Sequence, residues 1–470
     1  MLFSSISFIY YFLPPVLIAY FAAPKRFRNC ILLLASLIFY GCGEPGYLLL
    51  MLFTVILGYA AGIVIAYLKE SDKRKPSRVF LIVCVLVLAA LFGYYKYFGF
   101  LIANLNAVTG LNLTVLNIAL PIGISFYMFQ VLSYLVDVYR GSIKPQRNFI
   151  TFAAYVSMFP QLIAGPIVRY TSVEKELSDR TTNVCDAYEG VRRFIIGLSK
   201  KILLANSFAE LCKIFRSSQE KSVLFFWVYA AAFMLFIYYD FSGYSDMAIG
   251  LGRILGFDFP ENFDYPYISK SITEFWRRWH MTLGSWFRDY VYIPLGGNRV
   301  SMSRWILNIA VVWALTGLWH GAAWNFVLWG VMFAVILVLE KLFLNKALSK
   351  IPDIFKHAYV ILLVLISFVI FNAENMAQAA GDIAGMFGFA GVPPVTPESL
   401  YYTRSYTVLF IMGIVGATPF ISRTVSRLRS IRGSERAFLI IEPTALVLLL
   451  IMCTAYLVDG SFNPFLYFRF

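Results

Sequence analysis

Two histidines have surroundings in which an imidazole could perform acid–base chemistry. His320 lies in the strongly apolar run WALTGLWHGAAWNFVLWG, and an ionisable side chain at membrane depth is costly enough to be a functional candidate. Small residues beside it, including Gly317 and Gly321, would let helices or a substrate approach closely. The alternative interpretation is a structural histidine that hydrogen-bonds between helices.

The second histidine, His280, belongs to a segment that is too polar for an ordinary membrane span. This segment, Tyr265–Asn298, reads YPYISKSITEFWRRWHMTLGSWFRDYVYIPLGGN, and its charges must face protein, water or the membrane interface. The pattern predicts a re-entrant or membrane-surface helical segment. An amphipathic interfacial helix with an aromatic belt is the structural alternative. The candidate substrate-binding residues of the two histidine segments are Arg277, Arg278, Trp319 and Asn325.

Further charges lie at the ends of apolar runs. Asp240 and Asp246 occupy one such end, where buried carboxylates would need partners, and Arg or Tyr from neighbouring helices would serve. A polar clasp that stabilises the helix bundle explains them at least as well as catalysis does. Lys200 and Lys201 could meet a nucleotide phosphate, but ordinary anchoring of a cytoplasmic helix end explains them too.

No familiar metal or nucleotide motif accompanies these residues. The sequence contains no HExxH, GxSxG, Walker A or GxGxxG pattern in a suitable context. Its six cysteines form no CxxC pair, which predicts neither a zinc site nor a disulfide framework. We therefore expect no metal and no bound cofactor, and the catalytic options reduce to histidine acid–base chemistry.

The composition requires lipid as the solvent for most of the chain. Hydrophobic residues make up 60% and charged residues 14% of the 470, whereas soluble domains carry about 25% charge. The formal net charge of +14 is concentrated in short loops between apolar runs, as in the cytoplasmic loops of membrane proteins. This location argues against binding of nucleic acid.

The apolar runs predict an all-α polytopic membrane protein. A run of about 20 residues can cross the hydrocarbon core. Candidates lie near 5–23, 30–44, 47–68, 79–101, 114–138, 149–166, 189–213, 222–250, 303–320, 322–344, 357–373, 405–422 and 437–458. Since Gly or Pro breaks several of them, we expect about 11–13 transmembrane helices plus re-entrant or interfacial helices. One membrane domain over residues 1–460 and a C-terminal tail, 461–470, are expected.

Basic loops predict the orientation of the chain. Lys and Arg cluster after the first, third and fifth runs and again in Arg423–Arg436, which places those loops in the cytoplasm. The alternate loops, 41–46 and 104–112, carry a single charge, that of Glu44. The N-terminus and the tail Ser461–Phe470 are therefore expected to be extracytoplasmic.

The motifs together resemble a known family. WRRWHMTLGSWFRDYVYIPLGGN followed by LTGLWHGAAWNFVLWG closely resembles the signature of membrane-bound O-acyltransferases (MBOAT). FPQLIAGPIVRY and YDFSGYSDMAIGLGRILGF are similar to the bacterial branch that includes alginate O-acetyltransferase. The resemblance extends along the whole chain, and it implies the MBOAT fold in a bacterial cytoplasmic (inner) membrane.

The resemblance also implies a reaction and roles for both histidines. His320 matches the family histidine expected to be the catalytic base, and His280 matches a second motif residue that supports catalysis or positions substrate. The implied donor is acetyl-CoA or another acyl-CoA from the cytoplasm, which binds as a substrate. The implied partner is an extracytoplasmic SGNH-hydrolase-like acetyltransferase that passes the acyl group to a polysaccharide.

The last residues, FNPFLYFRF, resemble a terminal motif of such acyltransferases. In that resemblance Tyr467 is a transient acyl carrier. A phenol has a pKa of about 10 and a thiol about 8.5, so an aryl ester keeps much of the transfer potential of a thioester. A hydrophobic tail that docks a partner or plugs the outer opening is the alternative.

Other functions stay open at this point. D-alanyl or other acyl transfer to a cell-wall polymer is one alternative, although the fused tail favours acetyl. A transporter or flippase is another, since broken helices and a midplane histidine also occur in transporters. The absence of paired inverted halves, the WRRWH segment and the terminal FLYFRF disfavour it. A purely structural scaffold predicts that His320→Ala is tolerated.

Overall fold

The computed structural model describes residues 2–116, 118–431 and 433–460. Within these ranges the chain forms 22 α-helices, joined in places by short 3₁₀ and π segments, and no β-strand. The helices are α1 (Leu13–Ala22), α2 (Arg28–Gly43), α3 (Leu48–Glu70), α4 (Arg74–Thr109), α5 (Ile124–Arg140), α6 (Phe149–Ser157), α7 (Phe159–Leu162), α8 (Tyr170–Ser178), α9 (Val184–Ser199), α10 (Asn206–Ser217), α11 (Val223–Ile254), α12 (Ile272–Arg278), α13 (Met281–Phe287), α14 (Met302–His320), α15 (Trp324–Leu339), α16 (Asn345–Leu348), α17 (Asp353–Asn372), α18 (Met376–Met386), α19 (Pro397–Ser405), α20 (Thr407–Gly416), α21 (Phe420–Arg429) and α22 (Ser434–Val458).

Seven helical stretches in the described part of the chain are long and apolar enough to cross a membrane. They are Pro45–Glu70, Arg74–Thr109, Val223–Ile254, Met302–His320, Trp324–Leu348, Asp353–Asn372 and Arg436–Val458. Helices α20 and α21, bent by 65° at the break between them, make an eighth if they are counted as one span. The predicted all-α, polytopic class is therefore confirmed.

Fewer helices reach this length than the 11–13 crossings expected. Several apolar runs fold into helices shorter than the roughly 20 residues that a span needs: α2 has 16 residues and α5 has 17. The run near 149–166 is divided between α6, with nine residues, and α7, with four. Pro160 lies just after this break, and a proline cannot donate the backbone hydrogen bond that would continue α6.

The described residues form two compact units. Unit 1 comprises the described residues of Met1–Phe194 and Met247–Pro260. Unit 2 comprises the described residues of Ile195–Asp246 and Glu261–Phe470. Helices α9 and α11 each contribute residues to both units. A single membrane domain over residues 1–460 stays a prediction, and the tail 461–470 lies outside the described residues.

Aromatic rings fill the first part of unit 1. The ring centroids of Phe8, Phe12, Phe39 and Phe159 lie between 5.5 and 6.1 Å from one another, a separation at which aromatic pairs attract. The N–H of Phe159 also donates to Ser36 Oγ at 3.0 Å. These contacts connect α7 to α2.

Helices α14 and α15 form a close hairpin in unit 2. A Cβ atom at Gly317 would lie 2.4 Å from the carbonyl oxygen of Phe326, and one at Gly330 would lie 2.3 Å from that of Trp313. Both distances are shorter than a van der Waals contact, so only glycine fits at these two positions. The expectation that small residues beside His320 allow a close approach is confirmed at Gly317.

Candidate active site

His280 lies at the break between two short helices of unit 2. Helix α12 begins where the Ser271 side chain accepts a hydrogen bond from the Glu274 N–H at 3.0 Å, and it ends at Arg278. His280 then adopts a left-handed backbone, with φ 45° and ψ 51°, immediately before α13. Few residues other than glycine adopt this conformation, so the break is a specific feature of the site. The His280 side chain is buried there.

The side chain of Asn262 holds the imidazole of His280. Asn262 Oδ1 lies 3.1 Å from His280 Nδ1 and accepts a hydrogen bond from Thr282 Oγ1 at 2.9 Å. Because a carbonyl oxygen can only accept, Nδ1 of His280 is the donor, and the lone pair of the neutral ring lies on Nε2. In this tautomer Nε2 is the atom of His280 that can take up a proton.

The protein keeps His280 in its neutral form. Burial lowers the pKa of His280 well below its ordinary value, and the charge that His320 can carry lowers it further. A neutral imidazole can accept a proton, whereas an imidazolium cannot. His280 is therefore an uncharged group in this site.

His320 is the last residue of α14 and lies buried among aromatic rings. Its ring centroid is 5.2 Å from that of Trp329 and 5.2 Å from that of Phe371, and both rings lie at 80° to the imidazole. Edge-to-face packing of this kind restricts the orientation of a ring. The imidazole is therefore held in one place inside the protein.

One tryptophan contacts both histidines. The ring centroid of Trp319 lies 5.7 Å from that of His280 and 5.0 Å from that of its neighbour His320. Trp319 is buried. The fold thus brings together two histidines that are forty positions apart in the sequence.

Asn325 fixes the aromatic wall beside His320. Its Nδ2 donates to the carbonyl oxygens of Phe371 at 3.4 Å and Ala373 at 2.9 Å. These bonds join the first turn of α15 to the C-terminal end of α17, where the Phe371 ring packs against His320. The geometry gives Asn325 a positioning role, and its predicted contact with substrate stays a prediction.

A large cavity lies next to His280 in unit 2. Its volume is about 920 Å³, and its lining includes His280, Thr316, Trp305, Trp313 and Lys341. The other lining cations are Arg277 and Arg288. His320 is not among the lining residues. Of the two histidines, His280 is therefore the one that faces a molecule bound in this cavity.

The cavity is basic at one end and carries His280 at the other. Trp305 and Thr316 both line it and lie on α14, about 16 Å apart at 1.5 Å per residue. The ammonium of Lys341 lies 4.1 Å from the Trp305 ring. His280 instead packs against Trp319, at the Thr316 end of the helix. An elongated molecule with an anionic end and a distant reacting group matches this arrangement.

Comparison with known proteins identifies the family. Residues 140–371 match the MBOAT, membrane-bound O-acyltransferase family model. The chain is 36% identical over 501 aligned residues to the probable alginate O-acetylase AlgI of Azotobacter vinelandii, with 100% of both proteins covered. The chain belongs to the membrane-bound O-acyltransferase family.

Two further relatives support this assignment. The probable alginate O-acetylase AlgI of Pseudomonas aeruginosa is 41% identical over 393 residues, which are 83% of this chain and 75% of that protein. The peptidoglycan O-acetyltransferase of Helicobacter pylori is 31% identical over 428 residues, 83% of this chain and 81% of that protein. The protein is therefore a membrane O-acyltransferase, and the resemblance found in its sequence is confirmed.

The two arginines predicted in this acyltransferase site have different surroundings. Arg277 lines the cavity. Arg278 instead donates to Asp264 Oδ2 at 2.6 Å and to Glu274 Oε1 at 3.0 Å. It also donates to the Asp264 carbonyl oxygen at 3.1 Å. Arg277 is placed to meet a ligand in the cavity, whereas the bonds of Arg278 brace the loop before α12.

The segment that contains these arginines forms short helices with a packed interior. Helices α12 and α13 have seven residues each, too few to cross a membrane. Phe275, Trp279 and Phe287 are buried. Buried rings of this kind do not form an aromatic belt at the membrane surface. They therefore disfavour the alternative of an amphipathic interfacial helix with such a belt.

Lys200 and Lys201 bind carboxylates of their own chain. Lys201 Nζ lies 2.5 Å from Asp240 Oδ1, with side chains only 2% and 1% exposed, and Lys200 Nζ lies 2.7 Å from Asp246 Oδ2. The two lysines thus supply the partners that the buried carboxylates require. This favours the polar clasp over a phosphate contact.

A polar cluster that sequence reasoning missed supports the end of α17. Tyr229 Oη accepts from Asn372 Nδ2 at 2.6 Å and from Arg216 Nη2 at 2.5 Å. Arg216 also donates to both carboxylate oxygens of Asp382, at 2.9 and 2.6 Å. The four residues lie on four different helices, so no local spacing could have revealed the cluster.

Tyr467, the remaining predicted site residue, lies outside the described residues. Among the described residues, no group of three or more His, Cys, Asp or Glu side chains could hold a metal ion. The catalytic roles of His320, His280 and Tyr467 stay predictions.

Proposed function

We propose that the protein transfers an acetyl group from cytoplasmic acetyl-CoA across a bacterial inner membrane toward an extracytoplasmic glycan. The observation that carries this proposal is the cavity with Lys341 beside Trp305 at one end, His280 toward the other, and Arg277 and Arg288 also in its wall. Coenzyme A thioesters have the matching form, with phosphates at one end and the reacting carbonyl at the other. The two alginate O-acetylases and the peptidoglycan O-acetyltransferase to which the chain is similar support acetyl as the group.

The basic end of the cavity suits the nucleotide part of the donor. Arg288 and Lys341 can bind phosphate oxygens through charge-assisted hydrogen bonds. The ring of Trp305, which Lys341 contacts, offers an apolar face for stacking. Lys346 and Lys350 follow Lys341 in the sequence, and clusters of lysines at the end of an apolar helix are typical of the cytoplasmic side. The donor thus enters from the cytoplasmic side.

At the opposite end, the two histidines have separate tasks. His280 lines the cavity and orients the thioester. His320, which also packs against Trp319, acts as the base. The Tyr467 oxygen attacks the thioester carbonyl carbon while His320 accepts the phenolic proton. The carbon–sulfur bond breaks, and the coenzyme A thiolate takes the proton from the imidazolium. The products are acetyl-tyrosine and free coenzyme A.

The second half of the reaction takes place outside the cytoplasm. The positive-inside pattern assigns both termini to that side, so acetyl-Tyr467 meets its acceptor there. A serine hydroxyl of an SGNH-hydrolase-like partner attacks the tyrosyl ester, which releases the Tyr467 phenol. The partner then transfers the acetyl group to a glycan hydroxyl.

Binding of desulfo-coenzyme A, which lacks the reactive thiol, tests the donor site. We expect purified wild type to bind this probe in isothermal titration, and Arg288→Gln/Lys341→Gln to bind it roughly tenfold more weakly, because charge-assisted hydrogen bonds are lost. Lys346→Gln/Lys350→Gln is the matched control. It removes two exposed cations of the following basic stretch that do not line the cavity, and it should bind within about twofold of wild type.

Two other results would redirect the proposal. Equal weakening in both double variants would mean that the cavity is not the donor site. A purified protein that binds no desulfo-coenzyme A, but is labelled by another acyl donor such as a D-alanyl thioester, would change the transferred group.

A further inference from the structure

A small basic cavity lies in unit 1, outside the candidate active site. Its volume is about 310 Å³, and its charged lining residues are Lys25, Arg26, Arg28, Arg180 and Asp179. Four cations and one carboxylate leave an excess of three positive charges. The cavity therefore favours an anion.

Arg180 is a buried and fixed cation of this cavity. The residue is only 7% exposed. Its Nε donates to Tyr20 Oη at 2.5 Å, and its Nη1 donates to Asn29 Oδ1 at 2.7 Å and to the Glu176 carbonyl at 3.2 Å. The guanidinium also lies 4.7 Å from the Phe257 ring. Its Nη2 has no hydrogen-bond partner within the described part of the chain.

A buried guanidinium nitrogen without a hydrogen-bond acceptor lowers the stability of the folded protein. An unsatisfied polar atom of this kind costs about 1–3 kcal/mol, and more when the group is charged. Three neutral acceptors orient the Arg180 side chain, but none of them carries the negative charge that would balance it. An anion in the cavity would supply that charge.

The start of helix α2 adds to the positive potential. Helix α2 begins at Arg28, and no side chain caps its first turn. Asn148 and Thr151, at the start of α6, also line the cavity, but there the Asn148 side chain already accepts from the Thr151 N–H at 3.1 Å. The N-terminal end of a helix carries free N–H groups and about half a positive charge, and such ends commonly bind phosphate.

The carboxylate in the lining only partly offsets these charges. Asp179 Oδ1 lies 3.6 Å from Lys25 Nζ, and both side chains are largely exposed, at 82% and 66%. Exposed pairs at this distance bind weakly. Lys25 has three donors, so it can contact a second anion while it stays near Asp179.

We propose that this cavity is a phosphate-binding site. Arginine is the residue best suited to bind phosphate oxygens, and Arg26, Arg28 and Arg180 come from two separate parts of the chain. The phosphate has two possible sources, a soluble phosphate and the headgroup of an anionic phospholipid. The basic loop Lys25–Arg28 is one that the positive-inside rule assigns to the cytoplasm, where anionic headgroups attract basic clusters. This proposal does not depend on the proposed function.

Thermal unfolding of the purified full chain in detergent tests the site and its source. The midpoint is measured against increasing inorganic phosphate, phosphatidylglycerol, phosphatidylcholine and sodium chloride at matched ionic strength. The test variant is Lys25→Gln/Arg26→Gln/Arg28→Gln. The control variant is Lys73→Gln/Arg74→Gln/Lys75→Gln, which removes three exposed cations at the start of α4 in unit 1.

We expect wild type and the control to be stabilised by phosphatidylglycerol, with half-maximal effect at similar concentrations. The test variant should need roughly ten times more lipid, because charge-assisted hydrogen bonds are lost. A matching shift with inorganic phosphate identifies a site that also accepts soluble phosphate, and a shift with the lipid alone identifies a headgroup site. Equal responses of test and control variants, or shifts that sodium chloride reproduces, overturn the proposal. If the triple variant does not fold, Lys25→Gln/Arg26→Gln, which changes two exposed side chains, replaces it with the same criteria.

Discussion

His280 and His320 both pack against the ring of Trp319, with centroid distances of 5.7 and 5.0 Å. His280 belongs to the break between α12 and α13, and His320 ends α14, so each histidine is positioned by a different element. Of these two histidines, His280 lines the large cavity that has Lys341 at one end, and His320 does not. In the proposed reaction His280 positions the acyl donor and His320 is the base.

The buried neutral His280 predicts a specific dependence of stability on pH. Its pKa is lowered in the folded protein, so below the ordinary value of about 6.5 the unfolded chain binds a proton that the folded chain does not. Stability should therefore fall as the pH decreases from about 6.5 toward the folded pKa, and it should gain nothing from His280 above that range. Thermal midpoints measured from pH 7.5 to 5.5 check this. His280→Gln should flatten the slope; a slope equal to that of wild type would contradict the assignment.

Substitution of Asn325 should lower the rate of acetyl transfer without weakening the binding of the acyl-CoA donor. Asn325→Ala removes the side-chain amide that hydrogen-bonds to the carbonyl oxygens of Phe371 and Ala373. Leaving these two buried oxygens without that partner should lower the free energy of unfolding by about 1–3 kcal/mol. We expect kcat for acetyl transfer to fall while the Kd for desulfo-coenzyme A stays within twofold. The exposed Asn112→Ala should change neither quantity. A weaker Kd with unchanged kcat would instead make Asn325 a donor contact.

Close packing of α14 on α15 makes Gly317 intolerant of any side chain. Gly317→Ala would place a Cβ 2.4 Å from the Phe326 carbonyl oxygen, and overpacking of this kind costs about 1–3 kcal/mol or more. Gly93→Ala is the matched control, because nothing lies within 4 Å of its Cβ position on α4. Thermal unfolding should show a lower midpoint for Gly317→Ala only. Equal midpoints would mean that α14 and α15 can move apart at Gly317 without loss of stability.

The buried pair Lys201–Asp240 should respond differently to single and double changes. Lys201→Met leaves a buried carboxylate without its lysine, which costs about 3–5 kcal/mol. Lys201→Met/Asp240→Leu removes both charges and should recover most of the loss. Arg74→Met breaks an ion pair whose side chains are 84% and 91% exposed and should cost less than about 1 kcal/mol. A double variant as unstable as the single one would show that the pair does more than balance charge.

Sequence reasoning predicted the features that depend on residue type. The high apolar fraction led to the all-α polytopic class, and the motifs around His280 and His320 led to the family, which the comparisons confirm. The need of buried carboxylates for partners was also predicted, but the expected partner was Arg or Tyr, whereas the structure pairs Asp240 with Lys201.

The features that depend on chain geometry could not be predicted in this way. Helix ends follow local backbone bonding, so apolar runs such as 149–166 looked longer than α6 and α7 are. The hydrogen bond between Asn262 and His280 joins residues of two segments and has no periodic signal. Asn325 was predicted to bind substrate from its place in a motif, and only the structure shows its amide on the carbonyls of Phe371 and Ala373.

In the proposed reaction the acetyl group passes through the His320 site to Tyr467. The most direct test is to incubate purified protein with radiolabelled acetyl-CoA and to compare the covalent label on wild type, His320→Ala and Tyr467→Phe. Each protein is first shown to bind desulfo-coenzyme A. We predict label on wild type and its loss in both variants. Label retained on Tyr467→Phe, or undiminished on His320→Ala, would contradict the claim.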